Sequence, residues 1–172
     1  MTIYISERDN TGFFRSRHFI AYPHGGGVYT IVRSGILVLP NESSEAARQA
    51  GRPWGPTGFK GTGESNWRGE RVAVALDLKP SISRLHPPVP APSRHWAFDI
   101  DQWAPMASPN STYNAGPSVN AGSAIDTFAI RQTAPADVVT LDLDVAVRDV
   151  DGYLYRVGFY VNLVGRLVQV DD

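Results

Sequence analysis

Cysteine is absent from this chain and lysine nearly so, with no Cys and only 2 Lys against 14 Arg. Without thiols there is no disulfide framework, no thiolate metal ligand and no thiol nucleophile. Glutamate is scarce too, at 5 against 12 Asp. Lys and Glu are good helix formers while Asp prefers turns and caps, so this choice of charged residues leans away from helix. No apolar run approaches the ~20 residues of a membrane-spanning helix, and no membrane span is predicted. A net charge of −1 over 172 residues gives no global attraction to nucleic acid or anionic membrane, so no nucleic-acid partner is predicted. Taken as a native start, Met1 leads straight into Thr2-Ile3-Tyr4-Ile5 with no basic or apolar leader. That predicts no signal peptide, and a cytoplasmic protein or one released outside the usual secretory route.

What is present points to one folded domain spanning 1–172. The chain is 42% hydrophobic, and a chain of this length buries roughly 70% of the surface its unfolded form exposes. Residues 1–98 carry a net +5 and 99–172 a net −6. In an interleaved fold these charges mix; in a polar molecule they favour head-to-tail contact, which makes a homo-oligomer a candidate partner state.

Period-two alternation dominates. Val139, Leu141, Leu143, Val145 and Val147 share one face, opposite Thr140, Asp142, Asp144 and Arg148. Asp149-Val150-Asp151-Gly152 follows, then a second alternating run from Tyr153 to Leu163, which together predict a hairpin over 138–164. Arg71–Lys79 reads as a strand with Val72, Val74, Leu76 and Leu78 inward, and 95–103 as one with Trp96, Phe98 and Ile100 inward. Ile125–Gln132 carries Phe128 and Ile130 inward. Thr2–Glu7 and Phe13–Tyr22 flank Asp9-Asn10-Thr11-Gly12 as a second hairpin signal. Val28–Arg33 and Ile36–Leu39 make one bulged strand or two short ones. The predicted fold is all-β, an antiparallel two-sheet β-sandwich of jelly-roll type, with a closed β-barrel as the alternative. At most one short helix is predicted, near 43–50, capped by Ser43 and ended by Gly51.

Three long connections stand out: the glycine-rich 51–69, the proline-rich 80–92 and the Ala/Ser/Asn/Gly/Pro run 104–124. Connections of this length are often functional. Gly55–Thr62 has the ingredients of a phosphate loop in the wrong order, with Phe59 before Lys60 and no helix to follow. His18, His24, His86 and His95 show no metal-like spacing, although distant strands can assemble a three-histidine site. The pairs Asp99/Asp101, Asp142/Asp144 and Asp149/Asp151 each place two carboxylates on one strand face, as a cation site, a catalytic pair or a solvated face. No Gly-x-Ser-x-Gly elbow occurs. No cofactor, metal or catalytic constellation is predicted.

The aromatics carry the functional expectation. Trp54 and Trp67 bracket the glycine-rich loop, and Trp103 and Tyr113 border the 104–124 run. With Asp99 and Asp101 they form the predicted ligand-binding set, offering flat apolar faces to a carbohydrate or other small-molecule ligand. The expected function is a non-catalytic binding or assembly protein that holds a carbohydrate-like ligand or neighbouring subunits. The alternative is a small β-barrel enzyme with an apolar cavity, of cyclase, isomerase or hydratase type. Its candidate residues are Tyr153, Tyr155, Tyr160, Trp96 and Asp99.

Overall fold

A computed structural model describes residues 2–6, 14–39, 59–60, 67–86, 91–114, 122–148 and 152–172. Among the described residues nine strands form two sheets, and no barrel closes. The four-stranded sheet runs β1-β5-β8-β7, with β1 (Thr2–Ser6), β5 (Trp67–Asp77), β8 (Val138–Arg148) and β7 (Gly122–Arg131). The five-stranded sheet contains β2 (Phe14–Gly25), β3 (Val28–Val38), β9 (Gly152–Asp171), β6 (Arg94–Asn114) and the two-residue β4 (Phe59–Lys60). β9 lies between β3 and β6, and β4 meets it at Tyr153 and Leu154. Pairing is antiparallel except between β1 and β5.

The alternation is realised as two apolar faces packed on each other. Val72, Val74 and Leu76 of β5 and Val139 to Val147 of β8 meet Ile31 and Leu37 of β3, and Val157 to Leu163 of β9. The five β8 aliphatics are all essentially inaccessible, and their burial contributes roughly 10 kcal/mol as an upper bound. A charged side chain intrudes. Arg33 points into the core with no solvent exposure and donates from Nη1 to the main-chain oxygen of Asp77.

Two predicted hairpins do not form. β8 pairs with β5 and β7, while β9 pairs with β3, β4 and β6, so the 138–164 unit crosses from one sheet to the other. Likewise β1 joins β5, not β2. A strand buries its apolar face equally well when the next strand lies across the core instead of beside it, so alternation does not distinguish the two connections. A hairpin does join β2 to β3, through Gly25, Gly26 and Gly27, all at positive φ (83°, 60° and 77°). Glycine adopts that conformation without a Cβ penalty. Residues 28–38 are one continuous strand.

Three further expectations change. The 104–124 run is not a loop at its start, because β6 extends through Asn114. β6 lies at one side of its sheet, where Pro105 and Pro109 can turn their missing N–H groups away from the ladder. The proline-rich stretch contains a helix, α1 (Lys79–Leu85), with Pro80 in its first turn and the Lys79 N–H bonded to Asp77 Oδ1 at 3.0 Å. Phe128 keeps its inward phase opposite Leu143, yet it is exposed because β7 is an edge strand. The helix expected near 43–50, Trp54 and the Asp149/Asp151 pair lie outside the described residues.

The segment after β7 ties the sheets together along β6. Phe98 exchanges main-chain hydrogen bonds with Ala136 at 2.9 and 3.2 Å. The Gln132 side chain accepts from Ile100 N at 2.8 Å and donates to Phe98 O at 2.7 Å. These bonds cover the first part of an otherwise open strand edge.

Candidate functional site

The outer faces of the two sheets differ in chemistry. On the four-stranded sheet, Arg71 Nε donates to Asp144 Oδ1 at 3.1 Å and Arg131 Nη2 to Asp142 Oδ1 at 3.0 Å. The carboxylate hydrogen bonds, and then their charges, push both exposed guanidinium groups above their ordinary range. Asp142 and Asp144 thus share a face as expected, and each is engaged by an arginine of a neighbouring strand. This face is a solvated ion-pair lattice.

The outer face of the five-stranded sheet holds a groove of about 420 Å³, open to solvent and lined by Ile20, Tyr22, His24, Thr30, Val32, Ser34, Tyr160 and Asn162. Its construction follows from register. Even-numbered residues of β3 point away from the core, placing Thr30, Val32 and Ser34 in line. Ile20 and Tyr22 of β2 stand opposite Val32 and Thr30, and Asn162 and Tyr160 of β9 stand opposite Val32 and Ser34. The register shift between Pro23 and Gly25 leaves His24 as the extra residue, whose Nε2 lies 2.6 Å from Thr30 Oγ1. Val32 is 7% exposed and forms the floor, while Tyr22 (49%) and Tyr160 (41%) stand out as walls. The Tyr160 hydroxyl donates to Asn162 Oδ1 at 3.4 Å, a long bond that a ligand hydroxyl can displace. Among the described residues no Asp, Glu, Lys or Arg lines the groove. It suits a neutral ligand with flat apolar faces and hydroxyl groups.

The sequence-predicted set does not assemble as a unit. Trp54 lies outside the described residues. Trp67 opens β5 on the four-stranded sheet, exposed, with the Arg148 guanidinium 5.2 Å from its ring centroid. Trp103 lies on β6 of the other sheet, opposite Leu163. Tyr113 is opposite Tyr153, ten residues further along β6, about 33 Å at about 3.3 Å per residue. Asp99 faces Arg166, whereas Asp101 is the unpaired residue of a bulge between Ile100 and Gln102, so this acid pair does not keep simple alternation.

The residues of the enclosed-cavity alternative do not converge either. Tyr153 and Tyr155 stack at 5.9 Å near the start of β9, and Tyr160 is on the outer face. Asp99 and Trp96 pair near the other end of β9, with Arg166 and Gln169. Trp96 instead stacks on His86 at 4.7 Å, and His86 Nε2 is 3.0 Å from the Tyr29 hydroxyl, which fastens the end of α1 to β3 and β6. His95 bonds to Asp172. Among the described residues no three His, Asp or Glu side chains gather as a metal site.

Sequence reading missed Tyr22, Thr30, Val32, Ser34 and Asn162 as site residues. Alternation gives their common outward phase within each strand, but their adjacency depends on β9 pairing with β3, which has no local signal. No family model matches the chain, and no curated protein or solved structure is found to be similar to it.

Proposed function

We propose that this protein is a non-catalytic binding module whose five-stranded sheet takes a neutral, polyhydroxylated ligand of carbohydrate type on its outer face. The observation that carries this reading is the groove between Tyr22 and Tyr160, floored by Val32 and flanked by Thr30, Ser34 and Asn162. Phenol rings stack on the apolar faces of sugar rings, while hydroxyl and amide groups exchange hydrogen bonds with sugar hydroxyls. Among the described residues the titratable lining groups other than the two phenols reduce to His24, already bonded to Thr30.

Calorimetric titration of the wild-type chain and a Tyr22→Ala variant against a panel of neutral glucose-, xylose-, mannose- and N-acetylglucosamine-based oligosaccharides tests this reading. At least one series is expected to bind the wild type, with the variant about tenfold weaker. No binding by any member would overturn the reading.

Assembly with neighbouring subunits is the second reading, favoured by Met106, which is 66% exposed and stands opposite Tyr160 on the same face. Sedimentation at rising concentration separates the two. A face closed by self-association gives a mass that rises with concentration and loses the rise in Met106→Lys; a strict monomer excludes it.

A further inference from the structure

We infer that the groove is built for an elongated ligand gripped at two separate ends, by Tyr22 and by Tyr160, so that affinity depends on chain length. This rests on the carbohydrate reading above and narrows it from a class of ligand to a chain running obliquely across the strands.

The argument is one of register. Tyr22 on β2 stands opposite Thr30 on β3, which stands opposite Val164 on β9. Tyr160 lies four residues from Val164 along β9. The two rings are therefore two strand spacings apart in one direction and four residues apart in the other. At about 4.8 Å per strand and about 3.4 Å per residue, their Cα positions are separated by roughly 17 Å along a diagonal. That exceeds one sugar ring and matches a short chain.

The midpoint of the diagonal is Val32, which pairs with Ile20 on one side and Asn162 on the other. Its low exposure on an outward-facing position makes the centre of the path a depression between two raised rings. Hydrogen-bonding groups lie at both ends of this line: Thr30 and His24 near Tyr22, Ser34 and Asn162 near Tyr160. A single ring unit reaches one phenol and part of the floor. A chain long enough to cover both phenols adds the second contact without a second loss of translational freedom.

The test uses the intact chain and a neutral series of one to six sugar units from whichever class binds in the panel. The dissociation constant is expected to fall as the chain lengthens and to level off once both tyrosines are covered, with the longest member at least tenfold tighter than the single unit. Tyr22→Ala and Tyr160→Ala are each expected to remove about tenfold from the long members and to flatten the dependence on length. Tyr22→Phe and Tyr160→Phe, which keep the ring, are expected to restore most of it. Thermal melts of all four variants check folding, and the conservative pair carries the test where an alanine variant unfolds. A single unit that binds as tightly as the longest member overturns the two-ended groove and leaves the carbohydrate reading standing. Silence across the whole series removes both.

Discussion

A Cβ placed on Gly165 would collide with the main-chain carbonyl oxygen of Asp99. Gly165 is fully packed on β9 opposite Ile100, next to the bulge at Asp101. The obstacle is backbone and cannot rotate aside. Gly165→Ala is expected to lower stability by about 3 kcal/mol, at the upper end for overpacking, read as a shift of the urea midpoint. An unchanged midpoint would mean that β6 and β9 are not in this register.

Arg33 is the charge that the core encloses. Its guanidinium satisfies the Asp77 carbonyl at the step from β5 into α1. Truncation leaves a cavity and strands that oxygen. Arg33→Ala is expected to cost about 3 kcal/mol or more by denaturant unfolding, and Arg33→Met less, since it refills most of the volume. Equal losses in the two variants would show that volume is not part of the role.

The Arg71–Asp144 and Arg131–Asp142 pairs make an opposite expectation. Both guanidinium pKa values are raised by their carboxylates. A raised value contributes stability that is fully present below the unfolded-state pKa and is lost only as pH climbs through the folded one, in the strongly alkaline range. The arginine contribution is therefore expected to be flat between pH 6 and 9. An Arg71→Gln, Arg131→Gln double variant should show only a small fall in melting temperature at low salt, shrinking as salt is added. A large, salt-independent fall would contradict a solvated lattice.

Placement of the site on the sheet face, away from the tryptophans, has its own readout. Trp67→Ala and Trp103→Phe are expected to leave oligosaccharide affinity within about twofold, whereas Tyr22→Ala weakens it about tenfold. The reverse pattern would return the binding surface to Trp67 and Trp103.

Local pattern was sufficient for much of this architecture. The inward residues of β5 and β8, and Phe98, Ile100, Phe159 and Leu163, follow from period two alone. Connections did not follow from it, since β8 and β9 each bury one face whether they lie side by side or across the core. Bulges at Asp101 and Asp126 shift phase within a strand and are equally silent in sequence. Helix α1 was obscured by its own Pro80, a residue that reads as a breaker yet is tolerated in a first turn.

The candidate site divides in the same way. The expected set placed Trp54, Trp67, Trp103 and Tyr113 beside the carboxylates of Asp99 and Asp101, whereas the groove brings Tyr22 and Tyr160 together beside neutral hydroxyl and amide groups. By itself the sequence determined the β class and, for many strand residues, whether the side chain is wet or dry, because side-chain phase is a property of a few consecutive residues. Tertiary structure alone decided which wet residues became neighbours. Hydrogen bonds between β3 and β9 join positions 118 to 138 residues apart, and a backbone ladder accepts almost any side chain, so the partner of a strand is chosen by the packing of the whole core.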